Sequence, residues 1–222
     1  ITPFVLVIFS LITFLILSFD KLYHYLPNIE RFSRLESSPL SSFHYKDYLK
    51  SVHPNMYRIK CPMYKSNFYL DYSNNIKKVS NNHRKLIKHY VNIAKYITRD
   101  IPIFKRYPWD IYMSVNGLEM DMPYTIHNSI IIPLKTLNEL SHTFIHGHID
   151  KNFVNILIHE QLHVIQRNNQ YKFNKFYEKY YSKFISEKYT SNLPNNLKMI
   201  HMNNPDSNNT IWIYKYNNKK YI

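Results

Sequence analysis

The chain has 222 residues, of which 45% are hydrophobic and 16% aromatic, enough for one domain with a sizeable core, with or without an appendage. The single cysteine, Cys61, excludes an internal disulfide and a multi-cysteine zinc knuckle, and with two glycines there is no glycine-rich phosphate loop. The net charge of +14 is spread along the chain and accompanies abundant Lys, Asn, Ile and Tyr, so it is typical of biased composition. We therefore expect no specific nucleic-acid partner.

Residues 1–19 are the first predicted element. They are uncharged and almost wholly apolar, and as a helix they would span about 28 Å, close to the ~30 Å hydrocarbon core of a bilayer. Residues 18–20 offer no small-residue cleavage site of the kind that ends a signal peptide. We predict a single-pass membrane anchor at 1–19 in preference to a signal peptide or a buried helix. A linker at 20–44 then leads to a domain at 45–222.

The first half of this domain mixes strand-like and helical patterns. Apolar residues at helical spacing follow Ser80, a suitable N-cap residue, and Pro102 follows the end of that pattern. The predicted elements, in order, are strands at 56–64 and 68–72, a helix at 80–100, strands at 111–115 and 125–132, and a short helix from Thr136 or Asn138. With the later elements, this pattern predicts an α+β domain with a small mixed or antiparallel sheet.

The stretch 150–168 carries the most specific signal. Asp150 can cap a helix whose apolar residues recur at helical spacing, and no Pro or Gly interrupts it. It contains the pattern H-E-x-x-H as His159, Glu160 and His163. Residues four apart lie on one helix face, so the two imidazoles can bind one Zn²⁺, and Glu160 beside the ion can take a proton from its water. The sequence therefore predicts a zinc site with Glu160 as the catalytic base.

Other histidines upstream do not offer the same arrangement. His142 and His146 share the spacing of the pair, and His148 is nearby, but Gly147 interrupts the helix that would aim them. No carboxylate lies between them. We expect exposed loop histidines here and a single metal ion in the protein.

A catalytic zinc usually has three protein ligands, and the third must come from downstream of the helix. After it, the pattern predicts a helix at 173–184, a loop at 190–210 and a strand at 211–216. Three carboxylates remain open as the third ligand: Glu178 on that helix, Glu187 near its end, and Asp206 in the loop.

These blocks resemble the zincin superfamily of zinc metallopeptidases. More narrowly, they are similar to a loose group of uncharacterised metallopeptidase-like proteins of large DNA viruses and microbes. The shared blocks are Pro123-Tyr124-Thr125, the run H-E-x-x-H-x-x-Q-R from His159 to Arg167, and Asn204-Pro205-Asp206 ahead of Trp212, within about residues 107–216. Tyr124 stands where we expect His in that group, and there is no Arg just ahead of Asn204. The resemblance implies a zincin-like fold and Asp206 as the third ligand.

The leading hypothesis is a membrane-anchored zinc metallopeptidase acting on a peptide or protein. The strand at 125–132 would hold the substrate extended, with Thr125 and His127 as substrate-binding residues. One alternative is a catalytically inactive membrane protein that keeps the zincin fold for binding or structure. A basic nucleic-acid-binding protein is the third candidate.

Overall fold

The computed structural model describes residues 74–115, 117–146, 148–180, 184–188, 212–216 and 219–221. The anchor at 1–19, the linker at 20–44, the strands predicted at 56–64 and 68–72, the loop at 190–210 and Asp206 lie outside the described residues. Among the residues it does describe, no helix has both the length and the apolar character needed to cross a bilayer.

The described chain combines four helices with a small mixed sheet and a separate antiparallel sheet, which is an α+β arrangement. The helices are α1 (Asn81–Ile97), α2 (Leu134–Ile145), α3 (Lys151–Asn168) and α4 (Gln170–Tyr180). The strands are β1 (Ile76–Lys78), β2 (Asp110–Ser114), β3 (Tyr124–Ile126), β4 (Ser129–Pro133), β5 (Phe184–Lys188), β6 (Trp212–Tyr216) and β7 (Lys219–Tyr221). A short 3₁₀ turn occupies Pro102–Arg106, and Leu118–Asp121 is a tight turn in which Glu119, Met120 and Asp121 have positive φ. The predicted α+β class is confirmed.

The first four strands form a mixed sheet in the order β1-β2-β4-β3. Strands β2 and β4 run parallel, whereas β1 and β3 are antiparallel to their neighbours. Every residue of β4 is buried, including Ile130, Ile131 and Ile132, which is typical of a strand covered on both faces. The last three strands form a separate antiparallel sheet in the order β5-β6-β7.

Three predicted elements are confirmed close to their predicted bounds. Helix α1 begins after Ser80, whose hydroxyl accepts the backbone N–H of His83, and buries the apolar face that the spacing predicted. Strand β2 covers the stretch predicted at 111–115 and is followed at Gly117 by a left-handed residue with φ 93°. The backbone of β6 likewise follows the strand predicted at 211–216.

The single strand predicted at 125–132 is wrong. The chain reverses at His127 and Asn128, so that β3 and β4 pair antiparallel, with Ile126 opposite Ser129. His127 takes a positive φ of 54°, which is what a two-residue hairpin turn requires. The following helix also begins earlier than expected, at Leu134, directly after the β4 residue Pro133.

The helix predicted at 173–184 is also misplaced. Helix α4 begins at Gln170 and ends at Tyr180, and the chain then becomes extended as β5. Glu187 therefore lies on a strand and not near the end of a helix. Aromatic residues occur in both helices and half-buried strands. The spacing of aromatic residues around Phe184 therefore did not reveal that the chain passes from helix to strand there.

Candidate metal centre

Helix α3 is fixed at its first turn. Asp150 Oδ1 accepts the backbone N–H groups of Asn152 at 2.8 Å and Phe153 at 3.1 Å, which confirms the predicted cap. The N–H of Asp150 itself donates to the Tyr90 hydroxyl of α1 at 3.0 Å. The Tyr90 and Phe153 rings pack edge to face with centroids 5.1 Å apart, so α1 sets where α3 begins.

A second attachment holds the middle of α3. Gln161 lies inside the H-E-x-x-H pattern and is fully buried. Its Nε2 donates to the carbonyls of Tyr107 at 3.3 Å and Pro108 at 3.2 Å, just before β2. The sequence offered no signal for this role, because a glutamine within the pattern has no fixed partner. Gln161 nevertheless joins the turn that carries the histidines to the sheet.

The two histidines of the pattern face each other on α3. Their Nε2 atoms are 2.9 Å apart, and their ring planes are perpendicular. Two imidazole nitrogens on one tetrahedral zinc, each at 2.0–2.1 Å, would lie about 3.3–3.4 Å apart. The two Nε2 atoms are therefore about 0.4–0.5 Å closer than one shared ion requires, at the distance of an N–H···N hydrogen bond, so the rings would have to separate slightly to share an ion. Nitrogen donors of this kind suit Zn²⁺ and fit the predicted ligand pair.

Glu160 follows His159 on the same turn of α3. Only 5% of its surface is exposed, whereas both histidines are half-buried. A carboxylate in such a place is costly to bury unless it has partners or a cation nearby. The assignment of Glu160 as general base depends on its place next to His159 in the sequence and stays a prediction.

The third ligand is not settled by the residues described. Among them, no group of three or more His, Cys, Asp or Glu side chains is arranged to hold a metal ion. Glu178 on α4 pairs with Lys175 at 3.3 Å. Glu187 has the strand position described above, and Asp206 lies outside the described residues. All three assignments stay predictions.

The end of α3 holds the β3–β4 hairpin. The Arg167 guanidinium donates to the Thr125 hydroxyl at 2.9 Å and to the backbone carbonyl of His127. Next to it, Asn168 Nδ2 donates to Asn128 Oδ1 at 2.6 Å. Thus both predicted substrate-binding residues contact α3 through Arg167. Thr125 is fully buried in β3, whereas His127 is exposed at the turn.

The hairpin lies on the side of α3 that carries the histidines. Each four-residue step along a helix advances the side chain by about 40°, so His159, His163 and Arg167 form one row. Arg167 thus attaches the edge strand of the four-stranded sheet at the end of α3, one turn beyond His163. The cleft edge that the sequence predicted beside the histidines stays a prediction.

Other polar residues around α3 have structural partners. Gln166 Nε2 donates to the Tyr177 hydroxyl of α4 at 3.0 Å, and Asn169 Nδ2 donates to the Tyr107 hydroxyl at 2.7 Å. His142 lies in the last turn of α2 and His146 caps that helix, where His146 Nδ1 lies 2.7 Å from the carbonyl of His142. These two histidines and His148 are exposed, as predicted, but His142 is helical and does not lie in a loop.

Comparison of this chain with known protein families, with curated proteins and with solved structures gives no match. The likeness to zincins therefore stays an expectation based on the short sequence blocks, and the functional argument depends on the geometry around α3.

Proposed function

We propose that this chain is a zinc-dependent peptide hydrolase, held at a membrane by residues 1–19, in which His159, His163 and Asp206 hold the ion. The observation that carries the proposal is the 2.9 Å separation of the two imidazole nitrogens on a helix face that also binds the edge strand β3. A zincin-like arrangement of the domain is part of the same proposal.

A zinc ion held by His159, His163 and Asp206 would act as a Lewis acid and lower the pKa of coordinated water to about 7. Glu160 would accept the proton from the attacking water and would pass it to the leaving amine. Asp150, Tyr90 and Gln161 hold the helix, so the imidazoles and the carboxylate keep their relative positions.

Substrate would be held extended beside β3. The exposed His127 is the group placed to touch it directly, whereas Thr125 contributes by holding Arg167 and the strand. Because Thr125 is fully buried, the residues that cover β3 must move aside before a peptide can pair with its backbone.

The burial of this region favours one rival. Thr125 is 0% exposed and Glu160 is 5% exposed, as expected if the site no longer accepts substrate. In that case the chain is a metal-binding membrane protein without hydrolytic activity. This rival predicts bound zinc and no cleavage, so a measurement of peptide cleavage distinguishes the two proposals.

The test uses purified full-length chain, elemental analysis for zinc, and a mixed peptide library read by mass spectrometry. We expect one zinc per chain and cleavage that a chelator abolishes. His163→Ala should lose both zinc and cleavage, whereas the matched change at the exposed His142 should lose neither. Zinc content that is absent in the parent chain, or unchanged in His163→Ala, would overturn the metal site. Bound zinc without any cleavage would select the inactive rival.

A further inference from the structure

Helix α4 has one continuous exposed face. Its six exposed residues recur in adjacent pairs one turn apart, so they occupy about half of the helix circumference. The other described residues of the helix are half-buried. The exposed aromatic side chains are large: Tyr171 is 74% exposed, Phe176 41% and Tyr180 61%. The six residues, here called the α4 face, are Tyr171, Lys172, Lys175, Phe176, Lys179 and Tyr180.

The opposite side of α4 is attached to helix α3. Tyr177 accepts the hydrogen bond from Gln166 of α3, and its ring contacts those of Phe173 and Phe176. This attachment fixes the rotation of α4 about its axis. The α4 face is therefore held outward by packing on the other side.

The chemistry of the α4 face is cationic and aromatic. It carries three lysines and no carboxylate, and the helix's one acidic residue, Glu178, borders it and pairs with Lys175. Lys175 Nζ lies 5.8 Å from the centre of the Tyr171 ring, and Lys179 Nζ lies 5.1 Å from that of Tyr180. The Lys175 and Lys179 ammonium groups thus lie near aromatic rings of the same helix face, and Lys172 is exposed beside them.

We propose that the α4 face rests on an anionic lipid bilayer. Tyrosine and phenylalanine side chains settle at the boundary between headgroups and acyl chains, and lysines are attracted to anionic headgroups. A single helix presenting both on one convex face matches an interfacial helix. Single-stranded nucleic acid also takes lysines and aromatic rings, but it binds them along a basic groove, and α4 presents a convex surface.

The proposal is independent of the metal centre. It needs only the outward face of α4 and a bilayer, which residues 1–19 would keep within reach if they form the predicted anchor. Each lysine near an anionic surface strengthens the contact about fivefold, so three lysines give an effect that is readily measured.

The test places a photoreactive diazirine amino acid at position 176 of the full-length chain, which is then reconstituted into phosphatidylcholine vesicles with or without phosphatidylserine. Intact-mass spectrometry counts lipid adducts after illumination. The control carries the same amino acid at Lys85, which is exposed on α1. We expect lipid adducts at 176, more of them with phosphatidylserine, and none at 85.

A charge-reversal pair makes the test specific. Changing Lys172, Lys175 and Lys179 to Glu should weaken the contact about 10²-fold, at about fivefold per lysine, and so should remove most of the adducts at 176. The matched variant changes Arg84, Lys85 and Lys88 of α1 to Glu, with the same loss of net charge, and should leave them unchanged. Circular dichroism checks that both variants are folded. Equal adducts at 176 and 85, or adducts that survive the α4 reversal, would overturn the proposal. So would cross-links between copies of the chain, or displacement of the lipid adducts by added single-stranded RNA.

Discussion

The Arg167 guanidinium at the end of α3 donates a 2.9 Å hydrogen bond to the hydroxyl of Thr125 in the edge strand β3. The helix that carries the histidines therefore also holds this strand. The same guanidinium binds the carbonyl of His127. Removing it with Arg167→Ala should cost about 1–3 kcal/mol of unfolding free energy, because hydrogen bonds to a charged group are lost. Arg84→Ala on the exposed side of α1 is the control and should cost close to nothing. Urea unfolding measures both.

A double-mutant cycle isolates the Arg167–Thr125 bond. Thr125→Val keeps the shape of the buried side chain but removes the acceptor. If the bond stabilises the protein, the double variant should lose less than the sum of the two single losses, by about 0.5–1.5 kcal/mol. Losses that simply add would show that the two side chains are not coupled.

Glu160→Gln separates metal binding from hydrolysis. The amide keeps the shape of the side chain but cannot accept the proton, so zinc content should stay at the parental level. Cleavage should fall about 10²–10⁴-fold. Glu139→Gln, on the exposed side of α2, changes charge in the same way and should cleave normally. A Glu160→Gln chain that cleaves as fast as its parent would exclude Glu160 as the base.

The third ligand can be identified by comparing three alanine variants. We expect Asp206→Ala to lose zinc, whereas Glu178→Ala and Glu187→Ala retain it. Glu178 has a lysine partner at 3.3 Å, and Glu187 lies on a strand. Equilibrium dialysis against a zinc chelator measures the affinities. Retention by Asp206→Ala together with loss in either glutamate variant would move the assignment to that glutamate.

Asp110 should make stability depend on pH. It is buried at the start of β2, where Ser129 of β4 donates to its Oδ2 at 2.7 Å, and its Oδ1 has no hydrogen-bond partner in the described part of the chain. Burial raises the pKa of this carboxyl, and the Ser129 bond partly opposes that rise. The protonated form is thus favoured on folding, so this stability is fully present below the unfolded pKa of about 3.9 and is lost as pH rises through the folded pKa. Relative to Asp110→Asn, the parent should therefore lose stability between acidic and neutral pH in urea unfolding. A constant difference between the two proteins across that range would contradict the assignment.

Tyr90→Phe tests the attachment at the start of α3. It removes the hydroxyl that accepts the Asp150 N–H but keeps the ring against Phe153, so about 0.5–1.5 kcal/mol should be lost. Tyr171→Phe, at a 74% exposed position, should be neutral in the absence of lipid. If the two changes cost the same, the Tyr90 hydroxyl does not anchor the helix.

Local sequence signals were sufficient to predict the bounds of helix α3. Asp150 as a cap, the apolar spacing and the absence of Pro or Gly predicted α3 within a residue of its observed bounds. The histidine pair followed directly, because a four-residue spacing on a helix fixes which side chains meet. The cap and the histidine pair each depend only on residues one or two helical turns apart in the sequence.

Features that depend on distant residues were not predicted. The hairpin at His127 and Asn128 lacks the Gly that usually marks such a turn, so its flanking apolar residues read as one strand. The contacts of Gln161 with residues 107 and 108, and of Arg167 with residues 125 and 127, join segments more than thirty residues apart. Periodicity does not report contacts of that kind, because they arise only when elements pack.

The order of elements along the chain has a consequence for biosynthesis. The strands β1 to β4 and the helix α1 all precede α3, and Tyr90 lies sixty positions before its partner Asp150. Since a ribosome releases the chain from its amino end, the strands and the helix α1 that contact α3 leave the ribosome before α3 does. On the proposed function, the two histidines would then emerge when the residues that anchor their helix are already outside the ribosome.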